Sequence, residues 1–169
     1  MLIAIISDTH GNSATFFKFA AWARQNKIKE IIHCGDIGFA SFAKEMTELL
    51  PDIHFNLVIG NMDNDEESIG KMLATNQSPN VNFCGKTGDI EIANKKIGFT
   101  HKPDDARKLA LTGRFNLVFF GHTHQPFEEK IGLCRLINPG NLAGEIYQST
   151  FAVYDTETGH LELKVTTNL

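Results

Sequence analysis

The sequence predicts an α/β protein whose strands run parallel at the start of the chain and mostly antiparallel further on. In the first sixty residues, short β-rich runs alternate with polar turns and longer amphipathic segments, the pattern of parallel strands joined by helices. Beyond residue 80, short strands follow one another with hairpin signals such as Asn94-Lys95 and Thr158-Gly159. The chain has 169 residues, 42% of them hydrophobic, so we expect one domain over residues 1–169 with a core that needs no disulfide.

The first half contains three predicted strands, at Leu2–Ser7, Glu30–Cys34 and Phe55–Ile59. Apolar residues recur at helical spacing over Ser13–Gln25, and more weakly over Ala40–Leu50, which Pro51 follows. Both segments are therefore predicted helices that cover one face of the sheet. Either Asn12 or Ser13 is expected to cap the first helix.

The second half is predicted to consist mainly of strands and hairpins, in the runs NVNFCG, GDIEIAN, KKIGFTH, FNLVFFGH, EEKIGLCRLINPG and STFAVYDTETGHLELKVTT. One helix, over Asp104–Leu111, interrupts them. Residues 62–80 are polar with a short helical core, and we expect them to pass over the sheet edge. The hairpin signals favour antiparallel pairing among these strands.

Composition and charge exclude several classes of function. The net charge is -4 without any run of like charge, so the chain lacks the basic surface that extended nucleic acid requires, whereas a short nucleotide substrate stays open. No stretch is long enough to span a membrane, and the apolar start reaches Asp8 without a basic leader, as a first strand does. Three separated cysteines, Cys34, Cys84 and Cys134, lie in apolar runs, which predicts buried, reduced thiols and a cytoplasmic location.

Carboxylate, amide and imidazole side chains follow five of the predicted strands, at the point where each strand ends. They are Asp8 and His10, Asp36, Asn61 and Asp63, His101, and His122 and His124. In an open α/β sheet, the carboxyl ends of the strands line the crevice in which ligands bind. Because these side chains supply oxygen and nitrogen donors and no thiolate, they suit a divalent ion such as Mn, Fe or Zn.

Each of these residues also has an ordinary structural explanation. A Gly-Asp pair, as at Asp36, usually forms a turn, and GNMDN is typical of an Asx turn. A single histidine such as His101 is more often a residue with ordinary hydrogen-bond partners than a metal ligand. The GHTH run is more specific, because alternate residues of an extended segment point the same way. Five unrelated turns have no reason to supply ligand-type residues each time, so the pattern favours a binding site. The glycines before Asp36, Asn61 and His122 allow tight turns that carry these side chains into the crevice.

Six motifs in order, DTHGN, CGDIG, GNMD, THKP, GHTH and NPGN, resemble those of the calcineurin-like metallophosphoesterases. Their spacing is most similar to the small, single-domain bacterial and archaeal phosphodiesterase branch, and the resemblance spans residues 1 to about 160. It implies a four-layer α/β/β/α sandwich of two mixed sheets. It also implies two divalent metal ions per chain, with Mn foremost and Fe, Zn, Ni or Mg as alternatives.

The resemblance implies a role for each residue that matches a motif. One ion would be held by Asp8, His10, Asp36 and His124. The other would be held by Asn61, His101, His122 and the bridging Asp36. A hydroxide between the ions would attack the phosphorus of a small phosphate ester. The predicted catalytic residues are Asp36, Asn61, Asp63 and His101. We therefore expect a metal-dependent phosphodiesterase, while a phosphomonoesterase, a non-catalytic protein-interaction scaffold of the same fold and a homo-oligomer stay open.

The chain departs from the family pattern at two positions. Relatives often carry a histidine after the asparagine, proposed to protonate the leaving oxygen, and this chain has Met62 there, although Asp63 is present. We therefore expect substrates with good leaving groups to react best. Many members also have a glycine and a second histidine after the residue that matches His101, whereas this chain has Lys102 followed by proline. A phosphate contact is lost there, or Lys102 supplies a different one.

The remaining motif residues and histidines are expected to be structural. The NPGN turn ends in Asn141 instead of the usual serine, and we expect it to shape a loop near the site. His33 lies in the strand before Asp36 and is expected to be buried without chemistry of its own. His54 and His160 lie by turns and are expected to be exposed.

Overall fold

The computed structural model describes residues 1–63, 69–71 and 80–169, and its strands form two mixed sheets. The first sheet contains β1 (Leu2–Ile6), β2 (Glu30–His33), β3 (His54–Leu57), β4 (Val81–Phe83), β10 (Thr150–Asp155) and β11 (Leu161–Val165). The second sheet contains β5 (Thr87–Ile92), β6 (Lys95–Thr100), β7 (Leu117–Phe119), β8 (Phe127–Ile131) and β9 (Cys134–Asn138). The strand order is β11-β10-β1-β2-β3-β4 in the first sheet and β5-β6-β7-β9-β8 in the second.

The longer helices are α1 (Ser13–Gln25), α2 (Ala40–Leu49) and α3 (Pro103–Leu111), and a short 3-10 helix covers Thr166–Asn168. Asn12 is the cap of α1, because its side chain accepts a hydrogen bond from the amide of Thr15 at 3.3 Å. The helix α2 ends one residue earlier than predicted, ahead of Pro51. Residues 69–71 are helical, and most of the predicted excursion over 62–80 lies outside the described residues.

The pairing of the strands confirms one half of the predicted topology and corrects the other. β1, β2, β3 and β4 pair in parallel, whereas β10 is antiparallel to both β1 and β11. In the second sheet β6, β7 and β9 run parallel, and β5 and β8 are antiparallel to their neighbours. The prediction of antiparallel pairing was therefore wrong for β4 and for the β6-β7 and β7-β9 pairs. The connection between β6 and β7 is a helical crossover through α3, which brings the next strand back in the same direction.

The alternation of side chains along β1 produces the layers. Ile5 is buried with Phe99 between the two sheets, and Ile6 is buried with Phe16 of α1 on the opposite face. On the far side of the second sheet, Ala106 of α3 belongs to a further buried cluster. The layers therefore follow the order α/β/β/α, which confirms the predicted sandwich.

The three cysteines are free, with Cys34 and Cys134 buried and Cys84 only half-buried. The expectation of buried thiols was thus wrong for Cys84, which follows β4, the edge strand of the first sheet among the described residues. Among the residues that the structure describes, no helix is long and apolar enough to cross a bilayer.

Candidate metal centre

The seven predicted metal ligands follow the carboxyl ends of parallel strands and meet between the two sheets. They are Asp8 and His10 after β1, Asp36 after β2, Asn61 after β3, His101 after β6, and His122 and His124 after β7. The amide of Asp8 donates to the carbonyl of Gly35 at 3.0 Å, and the amide of His10 donates to the carbonyl of Asp36 at 3.0 Å. In the second sheet, the amide of Gly121 donates to the carbonyl of His101 at 3.0 Å. Backbone hydrogen bonds therefore hold neighbouring ligand loops together within each sheet.

One group of donor atoms is centred on Nε2 of His124, and we call it the His124 group. This nitrogen lies 3.2 Å from Nε2 of His10 and 3.4 Å from Oδ1 of Asp8. The same oxygen of Asp8 lies 4.0 Å from Nε2 of His10. Two imidazoles and one carboxylate therefore converge on one small volume, with all three donor atoms within 4.8 Å of one another.

The second group of donor atoms is centred on Nε2 of His101, and we call it the His101 group. This nitrogen lies 3.0 Å from Oδ1 of Asn61, 3.3 Å from Oδ2 of Asp36 and 3.3 Å from Nδ1 of His122. Asp36 and His101 are both buried, whereas His122 is exposed. These four residues are the predicted ligands of the second ion, and the structure brings all of them together.

Asp8 connects the two groups. Its carboxylate lies within 4.8 Å of donor atoms of His10 and His124, and also within 4.8 Å of those of Asp36 and His101. Both of its oxygens also accept hydrogen bonds from the amide of His122, at 3.3 and 3.1 Å. The motifs gave no signal for this central place, since the resemblance assigns the bridge to Asp36. Asp36 as the shared ligand stays a prediction.

The hydrogen bonds of His101 fit a cation at this position. Its Nδ1–H donates to the carbonyl of Cys34 at 2.9 Å, so Nε2 of the neutral ring carries only a lone pair. That lone pair faces the carboxylate of Asp36 and the carbonyl oxygen of Asn61, which have no hydrogen to offer either. Lone pairs that converge repel one another unless a proton or a cation lies among them. This donor set of nitrogen and oxygen atoms therefore suits a divalent ion.

The electrostatics of the two groups favour positive charge. Burial alone would raise the pKa of Asp36, but the hydrogen bond and charge of His101, together with the amide of Met62 and the charge of His10, hold this pKa below its ordinary value. Burial would lower the pKa of His101, and the contact with Asp36 raises it instead. The hydrogen bond with Asp8 raises the pKa of His124, whereas burial, with the charge of His101, lowers the pKa of His122. The carboxylates therefore attract protons or other cations to His101 and His124.

Five of the seven predicted ligands have a left-handed backbone, namely Asp8 (φ 52°), His10 (φ 45°), Asp36 (φ 53°), His122 (φ 71°) and His124 (φ 59°). This conformation is unfavourable for residues with a Cβ atom, although Asp and His adopt it more often than most. Its concentration at one place is typical of a functional site. The GHTH run is therefore not the extended segment that the prediction assumed, and turns rather than alternation send its two rings to different groups.

The glycines before three of the ligands do not all serve the tight turns that we predicted. Gly35 does form a tight turn, because its φ of +95° is a conformation that favours glycine. At Gly60 the reason is a close approach, because a Cβ atom there would lie 2.0 Å from Oδ1 of Asp36. A Cβ atom at Gly121 would likewise lie 1.9 Å from Oγ of Ser7. Two glycines are thus required by the packing of neighbouring loops.

A buried chain of hydrogen bonds from His33 to Thr9 joins two of the ligand loops, and sequence reasoning missed its role. The amide of Gly35 donates to Nδ1 of His33 at 3.2 Å, so the neutral ring carries its hydrogen on Nε2. That Nε2–H donates to Oγ1 of Thr9 at 2.9 Å, and the Thr9 hydroxyl donates to the carbonyl of Ile37 at 3.0 Å. Burial lowers the pKa of His33 to about 3 and keeps the ring neutral. The signal available in the sequence was a histidine three residues before Asp36.

Two further predicted positions lie beside the groups. Asp63 is buried, and its two oxygens each accept one backbone hydrogen bond, from the amides of Gly38 and Gly60, both at 2.8 Å. It therefore fixes the loops and does not take part in either donor group. The amide of Met62 donates to Oδ1 of Asp36 at 2.8 Å, while its side chain is 52% exposed.

The NPGN turn shapes the loop after β7, as predicted. The side-chain amide of Asn138 donates to the carbonyl of Gly121 at 2.8 Å and to Oγ1 of Thr123 at 3.0 Å. The side-chain amide of Asn141 donates to the carbonyl of His124 at 3.1 Å. Asparagine at position 141 therefore holds the backbone of a predicted ligand.

The fold and the site define a class of protein: metal-binding hydrolases of phosphate esters, built as an α/β/β/α sandwich with its donors between the sheets. The chain belongs to the calcineurin-like phosphoesterase superfamily, whose domain model matches residues 1–159. This confirms the family that the six motifs resemble.

Individual relatives agree with this assignment. A phosphodiesterase of Methanocaldococcus jannaschii is 28% identical over 162 residues, which cover 93% of this chain and 94% of the relative. A solved structure of an archaeal phosphodiesterase superposes with a TM-score of 0.88 at 26% identity, over 98% of this chain and 99% of that one. Vacuolar protein sorting 29 of Cryptosporidium parvum, at 17% identity and a TM-score of 0.66, covers 96% of this chain and 95% of its own, and shares the fold.

Proposed function

We propose that this protein is a phosphodiesterase that requires two divalent metal ions, Mn foremost, and hydrolyses a small phosphate ester. The observation that carries the proposal is the pair of donor groups around His124 and His101, with Asp8 within reach of both. The preference for diesters is supported by the relative of Methanocaldococcus jannaschii, whose name is that of a phosphodiesterase.

In this proposal each ion is bound by its own set of ligands, and one ligand is shared. The first ion takes Asp8, His10, Asp36 and His124 as ligands. The second takes Asn61, His101, His122 and the shared Asp36. When bound, such ions lower the pKa of water and offset the negative charge of the phosphoryl oxygens. The Cys34 carbonyl keeps Nε2 of His101 free to act as a ligand.

The chain's own residues then set the geometry and limit the leaving group. In our proposal Asp36, Asn61 and His101 line the place where the phosphate binds, and Asp63 is a positioning residue that acts through the amides of Gly38 and Gly60. A thioether cannot donate a proton, so Met62 gives no help to a basic leaving oxygen. Esters whose leaving group departs readily as an anion are therefore the favoured substrates.

The proposal also includes the location and the assembly of the protein. Free thiols persist in a reducing compartment, and the three free cysteines support a cytoplasmic location. The two donor groups are formed by residues of a single chain, so the proposed activity does not require a second copy. A homo-oligomer stays an open alternative.

The test is a substrate panel run after removal of metal with a chelator. Aryl phosphodiesters and aryl phosphomonoesters are assayed with added Mn, Ni, Zn or Mg, for the wild type and for Asp36→Asn. We expect turnover of the diesters that depends on metal and is lost in the variant. Faster turnover of the monoesters would favour a phosphomonoesterase. No turnover of either class with any of the metals would favour a scaffold that has kept the fold without the activity.

A further inference from the structure

We infer that Lys86 and Lys102 form an anion-binding subsite beside the metal centre, which selects phosphodiesters that carry a second negatively charged group. This inference rests on the proposed function and specifies its substrate class.

The subsite is part of a cavity that opens directly from the His101 group. The cavity has a volume of about 390 Å³, and its lining includes Asn61, His101, Lys86, Lys102 and Asp105. A phosphate held at the two predicted ligands therefore has the rest of its substrate facing the two lysines. The volume is sufficient for a short substituent with an oxyanion at its end.

The backbone holds both lysines at this cavity. The carbonyl of Lys86 accepts a hydrogen bond from Oγ1 of Thr100 at 2.9 Å. Lys102 follows His101 directly, and its carbonyl accepts from the amide of Ala106 at 3.0 Å at the start of α3. The side chains of both lysines are exposed. The ammonium groups can therefore reach a ligand while their points of attachment stay fixed.

The described carboxylates of the cavity do not form ion pairs with the two lysines. Asp105 is paired with Lys108, whose ammonium group lies 2.9 Å from Oδ1. Asp63, which also lines the cavity, accepts two backbone hydrogen bonds with its two oxygens. Among the described residues, neither Lys86 nor Lys102 has a carboxylate within ion-pair distance. Over the part of the chain that the structure describes, the cavity therefore presents two ammonium groups without an ion-pair partner, which attract and orient an anion.

The same arrangement gives a role to a position that departs from the family pattern. The sequence left open whether Lys102 replaces a lost phosphate contact. The structure adds Lys86 as a second cation, on a different loop and in the same cavity. A phosphate, sulfonate or carboxylate on the substituent would accept charge-assisted hydrogen bonds from both.

The test compares two substrates that share the same leaving group. Both are p-nitrophenyl propyl phosphodiesters, and the propyl chain ends in a methyl ether, which cannot attack phosphorus, in one and in a sulfonate, which cannot be hydrolysed, in the other. We expect the Mn-loaded wild type to favour the sulfonate ester in kcat/KM by about tenfold or more, because hydrogen bonds to charged groups are the stronger kind. The preference should shrink when the salt concentration is raised from about 0.05 M to about 0.5 M.

Three variants assign the preference to the subsite. Lys86→Gln and Lys102→Gln should each reduce the ratio of kcat/KM between the two substrates, and the double variant should abolish it. Lys130→Gln is the matched control, since Lys130 is exposed on β8 and does not line the cavity. It should keep both the ratio and the rate.

The outcomes separate this inference from the proposed function. Turnover of both substrates with equal kcat/KM, or a preference that survives the double variant, would overturn the subsite and leave the phosphodiesterase intact. Absence of turnover for both substrates with every metal would overturn the proposed function and the subsite with it.

Discussion

The backbone amide of Met62 donates a hydrogen bond to Oδ1 of Asp36 at 2.8 Å. The residue that stands where relatives carry a histidine is therefore anchored to a predicted metal ligand. Its side chain is 52% exposed and takes no part in this bond, so the side chain can be changed while the anchor stays. Asp63, the next residue, already accepts hydrogen bonds from the amides of Gly38 and Gly60 with its two oxygens.

Met62→His should help poor leaving groups selectively. A positioned general acid contributes about a hundredfold to ten-thousandfold when the leaving oxygen is basic, and little when it departs readily as an anion. Because both oxygens of Asp63 are engaged, we expect a gain near the low end of this range for alkyl esters. The measurement is kcat/KM for a series of phosphodiesters, plotted against the pKa of the leaving group.

Lys102→Ala, measured on the same series, is the comparison that shows whether the lysine donates a proton in the wild type. If kcat/KM falls more steeply with the pKa of the leaving group in Lys102→Ala than in the wild type, Lys102 is the residue that donates the proton. Equal slopes for the wild type and Met62→His would show that residue 62 has no part in protonation of the leaving group.

Asp36→Asn and His10→Ala should differ in their effects on metal binding. Asp36 is the predicted shared ligand, so its loss should weaken both ions and reduce turnover by at least about a hundredfold. His10 belongs to the His124 group alone, so His10→Ala should weaken one ion and leave the affinity for the other nearly unchanged. Calorimetric titration with Mn checks both. Loss of a single ion in Asp36→Asn, together with loss of both in a matching Asp8→Asn, would assign the bridge to Asp8 instead.

Gly60→Ala should damage the site more than it damages the fold. The added Cβ atom would lie 2.0 Å from Oδ1 and 2.5 Å from the amide nitrogen of Asp36, so Asp36 must move. We expect a loss of metal affinity and of turnover by about a hundredfold, with a loss of about 1 to 3 kcal/mol in the free energy of unfolding.

Gly132→Asn is the control, because a Cβ atom at Gly132 meets no atom within 4 Å and asparagine tolerates its left-handed backbone. Wild-type metal affinity in Gly60→Ala would contradict the packing that we describe between the loops after β2 and β3.

His33 should make the stability of the metal-free protein sensitive to mild acid. Burial lowers its pKa from 6.5 to about 3 in the folded protein. The unfolded chain therefore binds a proton that the folded chain does not, and the free energy of unfolding falls as the pH falls from about 6.5 toward 3. Urea unfolding of wild type and His33→Gln, in the presence of chelator, compares the two pH dependences.

The variant is expected to be less stable at neutral pH, because its contact with Thr9 is altered, and to lose less stability between about pH 6.5 and pH 5. Parallel curves for the two proteins would mean that His33 is already protonated in the folded state or titrates normally.

The sequence was sufficient for the elements of the first half and for the place of the site. Helix α1 has the predicted bounds, and the parallel strands that precede it and follow it end in the predicted polar residues. Both follow from local signals: helical spacing of apolar residues, and polar residues at the ends of strands. The layer order came from the resemblance, since no local pattern says which sheet packs on which.

Other features depend on contacts between distant residues and carry no local signal. The parallel pairing of β4 with β3 joins strands that are far from adjacent in the sequence. The hairpin signals in the second half of the chain predicted antiparallel pairing instead. The backbone of His122 donates to the carboxylate of Asp8, and the carbonyl of His124 accepts from the side chain of Asn141, both distant in the sequence. The central position of Asp8 and the bond from His33 to Thr9 join loops that lie far apart in the sequence.

The most direct test of the account is turnover of bis-(p-nitrophenyl) phosphate by chelated protein during stepwise addition of Mn, with bound metal measured in the same samples. We expect no turnover in chelator, recovery on addition of Mn, and a plateau at about two ions per chain, since both the His124 group and the His101 group must be filled. Full turnover in the presence of chelator, or none at saturating Mn with two ions bound, would contradict a metal-dependent phosphodiesterase.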